Sequence, residues 1–293
     1  MKQLIEDSPP AWGVLPIEQY LMAKWDSESS LPAQEQHARL VHAFLQEDRI
    51  DSVSPGSAEP DARQQELIRS VFMPWRNSEV RQIAHKLVAI CKQLSGELIL
   101  LRTYYGGGAA DDDRLRAWLD QADPFDESFG RRDDHWWRVL DNAALFDMSA
   151  EKWEAIRNVL PELAAPRLDR TFNQGDVDDV QKLVLPAAGD EEPDEDSYKE
   201  AIMNVAAVGH YLIVLDQEAF EDEAFLLVFQ DKKGNLVKQG SIKPAEVQNL
   251  LQYASRGALH SSEYWLDAEI GSKYKTRGQV MRALLPVVME NAG

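Results

Sequence analysis

The chain has 293 residues, 44% hydrophobic and 28% charged, with a formal net charge of −19. That length can bury one large or two modest cores, and eight tryptophans argue against a disordered chain, since disordered segments are poor in aromatics. The acidity excludes a general affinity for phosphate backbones, which proteins bind with Lys and Arg, and for anionic membrane surfaces.

The first residues, "MKQLIEDSPPAWG", lack the basic start and continuous apolar stretch of a secretory signal. A helix is predicted over "PIEQYLMAKW", with Pro16 at its first position. A second runs through "PAQEQHARLVHAFLQED", where Leu40, Val41, Phe44 and Leu45 share a face. After the break at "SPGSAEPDA", a third begins at Pro60 with Leu67, Ile68, Val71 and Phe72 as its apolar stripe. The clearest helix is "SEVRQIAHKLVAICKQLSG": Ser78 is the expected N-cap, and Val80, Ile83, Ala84, Leu87, Val88, Cys91 and Leu94 recur at helical spacing.

"ELILLRTYY" reads either as a short strand or as the start of another buried element. Helices are expected at "DDDRLRAWLDQA", "DDHWWRVLDNAALF" and "SAEKWEAIRNVLPELA", and a loop at "PRLDRTFNQGDVDD" with a short helix after it. Then comes "GDEEPDEDS", Gly189 to Ser197, with six acids and no base. Residues 1–188 hold 32 acids and 21 bases, and residues 198–293 hold 12 acids and 10 bases, so charge concentrates in the nine residues between. Beyond them the texture changes. A helix at "SYKEAIMNVAAVG" precedes β-type runs at "HYLIVLDQ", "EAFLLVFQD" and "LVKQGSIK", the last two joined by the turn "DKKGN" and expected to pair antiparallel. A helix from Pro244 to about Gly257 and a last one interrupted near Pro286 close the chain.

The expected fold is therefore α+β. A mainly helical N-terminal domain (1–188) is joined by an acidic linker (189–197) to a small α+β domain (198–293) with an antiparallel sheet. No apolar run approaches the roughly 20 residues that span a bilayer, and the expected location is the cytoplasm.

Few features suggest chemistry. "YYGGGAADDD" joins a Gly-rich turn to a helix start, a geometry that cradles phosphate. Its three aspartates occupy the place an anion would take, and no Lys-Ser/Thr pair follows as in a P-loop. Asp111, Asp112 and Asp113 suit Mg²⁺ or Ca²⁺ by ligand type, but adjacent residues on a helix diverge, so capping and solvation account for them. In "RRDDHWWR", Trp136 lies about 100° from Trp137 on a helix and is a candidate interface anchor. The connection "SRGALHSSEYWLDAEIGSKYKTRG" presents Trp265 in the same way. The six histidines include no HxH or HExxH pattern, and no GxSxG occurs. Cys91, the only cysteine, permits no intrachain disulfide and falls on an apolar helix stripe.

These features point to a binding protein without catalysis and without a cofactor or metal. The expected partner is a basic protein, a toxin or nuclease being examples, attracted by acidic surface as immunity proteins and inhibitors attract theirs. The expected contacts are Trp136, Asp190, Glu191, Glu192, Asp194, Glu195, Asp196 and Trp265. A metal-dependent hydrolase drawing on Asp111, Asp222 and Glu263 is the alternative, and a two-domain adaptor is a third reading. Neither nucleic acid nor membrane is expected as a partner.

Overall fold

A computed structural model describes residues 11–50, 60–92, 98–122, 137–149, 152–164, 169–188, 193–207, 210–247, 249–250 and 268–290. By contact the chain divides into two compact units, one of Met1–Ser95 with Glu154–Thr171, the other of Gly96–Trp153 with Phe172–Gly293. This division by contact differs from the division by composition at 1–188, 189–197 and 198–293.

In the first unit, α1 (Pro16–Lys24) starts on Pro16 and α2 is Ala33–Gln46. α3 (Ala62–Leu67) opens with a capping box: Asp61 accepts from Gln64 N at 2.8 Å, and the Gln64 side chain accepts from Asp61 N at 3.0 Å. A π-turn, Ile68–Phe72, then leads into the short α4, Met73–Trp75. The wide turn coincides with Pro74, which has no N–H for the carbonyl four residues back. α5 is Ser78–Lys92, and its N-cap is Asn77 rather than Ser78, since the Asn77 side chain accepts from Val80 N at 2.9 Å. Val80, Ile83, Ala84 and Leu87 are buried as their spacing requires.

Buried ion pairs brace this unit. Arg81 Nε meets Glu18 at 2.6 Å, and Arg76 meets Glu162 at 2.5 Å. Arg170 donates to the Phe44 carbonyl at 2.7 Å. His37 is buried against Trp25, Phe72 and Trp75, with the Trp75 ring stacked at 4.6 Å. The helix expected over "SAEKWEAIRNVLPELA" is instead two 3₁₀ turns, Trp153–Asn158 and Pro161–Leu163. Pro161 cannot donate into a helix already under way, so the ladder stops and restarts.

The second unit is built on one six-stranded sheet in the order β2-β1-β3-β4-β5-β6. β1 (Leu98–Arg102) and β2 (Trp137–Leu140) pair in parallel, with α6 (Ala109–Ala122) between them in sequence. β3 (His210–Leu215) pairs in parallel with the other edge of β1, Leu101 opposite Val214. β4 (Phe225–Gln230), β5 (Leu236–Ile242) and β6 (Glu269–Ile270) follow antiparallel. The antiparallel β4–β5 hairpin is as expected. The wholly antiparallel sheet is not: the sheet is mixed, and two of its strands come from before residue 189.

Part of "DDHWWRVLDNAALF", expected as one helix, forms β2 and then the short α7 (Ala143–Phe146), which Asn142 caps by accepting from Ala144 N at 3.0 Å. A strand there gains a parallel partner in β1, which a helix would leave unpaired. The expected loop at 166–179 gives way at Gln174 to a full helix, α8 (Gln174–Ala188). α9 is Glu195–Ala207, so the acidic stretch ends inside a helix. α10 (Gln217–Asp222) joins β3 to β4. The helix expected from Pro244 opens as a 3₁₀ turn, Pro244–Glu246, with Val247, Asn249 and Leu250 helical after it and residues 251–257 outside the described residues. α11 (Gln279–Glu290) runs through Pro286 without the expected break. The core joins Leu100, Ile213, Leu215, Phe225, Leu227 and Phe229 of the sheet to Val177, Val180 and Val184 of α8, Ile202 and Ala206 of α9, and Met281 and Val288 of α11. No helix among the described residues is long and apolar enough to cross a membrane.

Candidate functional site

After β1 the chain moves to β2 on one side, and it later places β3 on the other, with all three strands parallel. Their carboxyl ends therefore share one edge of the sheet, with the reversal of strand order between β1 and β3, where open α/β sheets commonly present their sites. The loops that begin there are Thr103–Gly108 before α6, Asp141–Asn142 before α7, and Asp216 before α10.

Arg102, the last residue of β1, ties these loops together. Only 2% of it is exposed. Its Nε donates to the Tyr104 carbonyl at 2.9 Å, and Nη1 meets Asp112 at 2.6 Å and Asp141 at 3.5 Å. The guanidinium lies over the Tyr105 ring at 4.4 Å and the Phe220 ring, on α10, at 5.5 Å. One side chain thus contacts groups that follow β1, β2 and β3. Backbone bonds add to this: Thr103 N donates to Leu215 O at 2.8 Å, and Met148 N to Thr103 O at 2.9 Å. Burial, then the Asp141 charge, raise the Tyr105 hydroxyl well above its ordinary pKa, so it stays protonated and donates to the Arg102 carbonyl at 3.2 Å.

The Gly-rich turn is shaped by its own neighbours. Asp111 is buried, accepts from Gly107 N at 2.9 Å and pairs with Arg114. A Cβ on Gly107 would collide with that carboxylate, and one on Gly106 with the Tyr104 ring. Gly108 takes φ +59°, which glycine adopts without strain. The carboxylate of Asp111 thus occupies the place an anionic ligand would need. The three aspartates, weighed as metal ligands from sequence, each meet a different arginine: Asp111 with Arg114, Asp112 with Arg102 and Asp113 with Arg116. Among the described residues, no three His, Cys, Asp or Glu side chains are grouped to hold a metal ion.

Acidic side chains crowd this edge. Asp216 caps α10, accepting from Ala219 N at 2.9 Å, and Glu218, Glu221, Asp222 and Glu223 follow it exposed. Lys243 Nζ donates to the Asp222 carbonyl at 3.0 Å, at the C-terminus of α10. α9 brings the acidic stretch to the same edge. Its 13 residues rise about 20 Å, two residues separate it from β3, and β3 spans a similar length of about 20 Å. Because α9 packs back on the sheet, its first turn lies level with the end of β3.

Asp194 is the N-cap there, accepting from Ser197 N at 2.8 Å and Ser197 Oγ at 2.6 Å, and these bonds hold its pKa below the ordinary carboxylate value. Glu195 and Asp196 both reach Lys199, at 2.6 and 2.9 Å, yet stay 56% and 85% exposed. Their hydrogen bonds raise the Lys199 pKa. Two carboxylates thus share one ammonium, beside a third that caps the helix.

Of the expected contacts, the structure brings Asp194, Glu195 and Asp196 together on this first turn. Trp136, Asp190, Glu191, Glu192 and Trp265 lie outside the described residues, as does Glu263. Arg102 escaped the sequence reading. The available signal was an arginine closing an apolar strand directly before a glycine-rich turn.

Fold and edge together define a class: an α+β protein, as expected, with a mixed sheet and an acidic rim at the carboxyl ends of its three parallel strands. Comparison with models of known protein families, with curated proteins and with solved structures finds no match to this chain.

Proposed function

We propose that the protein is a binding protein without catalysis that docks a basic protein partner on the acidic rim, in the manner of an immunity protein or inhibitor. The observation that carries this reading is the first turn of α9, where Asp194, Glu195 and Asp196 are all exposed and one lysine serves only the last two. A carboxylate cluster left in water at small desolvation cost attracts a cationic surface at long range and speeds encounter. The exposed acids of α10 extend the same field. The toxin or nuclease class fits because such partners carry the needed positive charge, and the reaction at the rim is association alone.

The test is capture from the native host with the full chain at low and high salt, beside the D194N/E195Q/D196N variant. The expected result is a basic protein held at low salt, released by salt and lost with the variant. Recovery of no basic protein, or of one that neither salt nor the variant affects, overturns the reading.

A further inference from the structure

The opposite end of the same sheet carries the reverse charge. The turn Asp231–Asn235 between β4 and β5 meets the loop Gly271–Gly278 that leads into α11. Tyr274 donates to Asp231 at 2.8 Å, Lys273 to Asn235 at 2.7 Å, and Gly271 N to Val237 O at 3.0 Å. Asp231 is buried and also accepts from Lys233 N and Asn235 N, both at 2.8 Å, so its carboxylate is spent on holding the turn.

Around it stand Lys232, Lys233, Lys273, Lys275 and Arg277. Lys232 is paired with Asp176 at 2.5 Å. Lys273 has its pKa lowered by burial first, a shift that the Asp231 charge opposes and the Lys233 charge adds to. Lys275 and Arg277 are exposed and enter no ion pair among the described residues. β4 separates this pole from the rim by about 20 Å. Charges more than a Debye length of about 8 Å apart are largely screened at physiological salt. The pole therefore acts as a cationic surface in spite of the net charge.

We propose that this basic pole docks the acidic rim of a second copy of the chain, at Glu195 and Asp196, in a weak, salt-sensitive, head-to-tail contact. Poles of opposite sign at opposite ends of one unit make the contact heterologous, so a further copy can add to each end. A nucleic acid is the poorer occupant, because its phosphates continue past so small a patch onto acidic surface. The contact uses the same rim as the proposed function and rests on that rim being a docking surface. Self-association would then compete with the basic partner.

Sedimentation of the full chain over a concentration series, at about 20 mM and about 500 mM NaCl, tests this. The wild type is expected to gain mass with concentration at low salt only. K275E/R277E and E195K/D196K, each checked for a native circular dichroism spectrum and melting curve, are each expected to weaken association at least about tenfold. An equimolar mixture of the two is expected to restore it as alternating head-to-tail chains holding equal amounts of both variants, because each pole of one then meets a rim of opposite sign on the other. K275E/R277E, whose changes fall on an exposed loop, keeps the test open should the α9 variant fail to fold.

No association by the wild type at low salt overturns the proposal. So does association that K275E/R277E leaves unchanged, or tighter binding of a short DNA duplex than of a second copy. K275E/R277E leaves the rim intact, so capture of a basic partner by that variant separates failure here from failure of the proposed function.

Discussion

At the scale of single residues, Arg102 and His37 carry consequences that differ in kind. Arg102 is a buried cation whose carboxylate partners come from α6 and from the loop after β2, and whose ring contacts include α10. Both carboxylates keep contact with water, so what Arg102→Met removes is chiefly charge-assisted hydrogen bonds and packing, and it is expected to destabilise the second unit by about 2 kcal/mol. Arg102→Lys is expected to recover part of this, since an ammonium keeps the charge and loses the planar fork. Urea unfolding of the three proteins measures both.

His37 sits among three aromatic rings, and burial lowers its pKa from 6.5 to about 4. As pH falls, the unfolded chain takes up that proton before the folded one does. The stability tied to neutral His37 is thus complete above pH 6.5, declines between 6.5 and about 4, and levels off below. The loss is on the order of 3 kcal/mol. His37→Phe is expected to remove that part of the slope, read as tryptophan-detected urea midpoints against pH, with Trp25 and Trp75 as adjacent reporters.

Elements show which sequence signals were decisive. β3, β4 and β5 are dense in branched and aromatic residues and bounded by turn residues, so local pattern suffices for them, and the hairpin at "DKKGN" follows. α5 and α6 are legible from apolar spacing. β2 is not, because "WWRVL" satisfies helix and strand alike, and its deciding partner, β1, lies more than thirty residues away. The parallel β1–β3 pair joins residues over a hundred positions apart, a relation that no local pattern carries. The rim was half legible: its charge is evident in "GDEEPDEDS", while Arg102 acquires its role only once three strand ends meet.

Caps have their own scale of effect. Asp216→Ala removes the acceptor for Ala219 N and is expected to cost about 1 kcal/mol, with Asp216→Asn nearly neutral, as thermal unfolding will show. The same reasoning guides work on the acidic stretch. Deleting 189–197 would remove the cap and first turn of α9 along with the charge. Asp194→Asn removes charge and leaves a capping side chain, which makes neutralisation the cleaner experiment.

For the molecule as a whole, charge and chain order matter most. Neutralising Asp194, Glu195 and Asp196 together is expected to slow association with a basic partner and flatten its dependence on salt, with dissociation little changed, by stopped-flow measurement at several ionic strengths. Chain order has a different consequence. The first unit is complete once Thr171 has been made, whereas the second holds β1 and β2 until β3 is added nearly forty residues later. On the ribosome, the first unit can close while β1 still presents an unpaired, apolar edge, a template for pairing with other chains. Synthesis between Thr171 and Leu215 is therefore the interval in which nascent chains depend most on chaperones, and a stall there is expected to give aggregates where a stall beyond β5 does not.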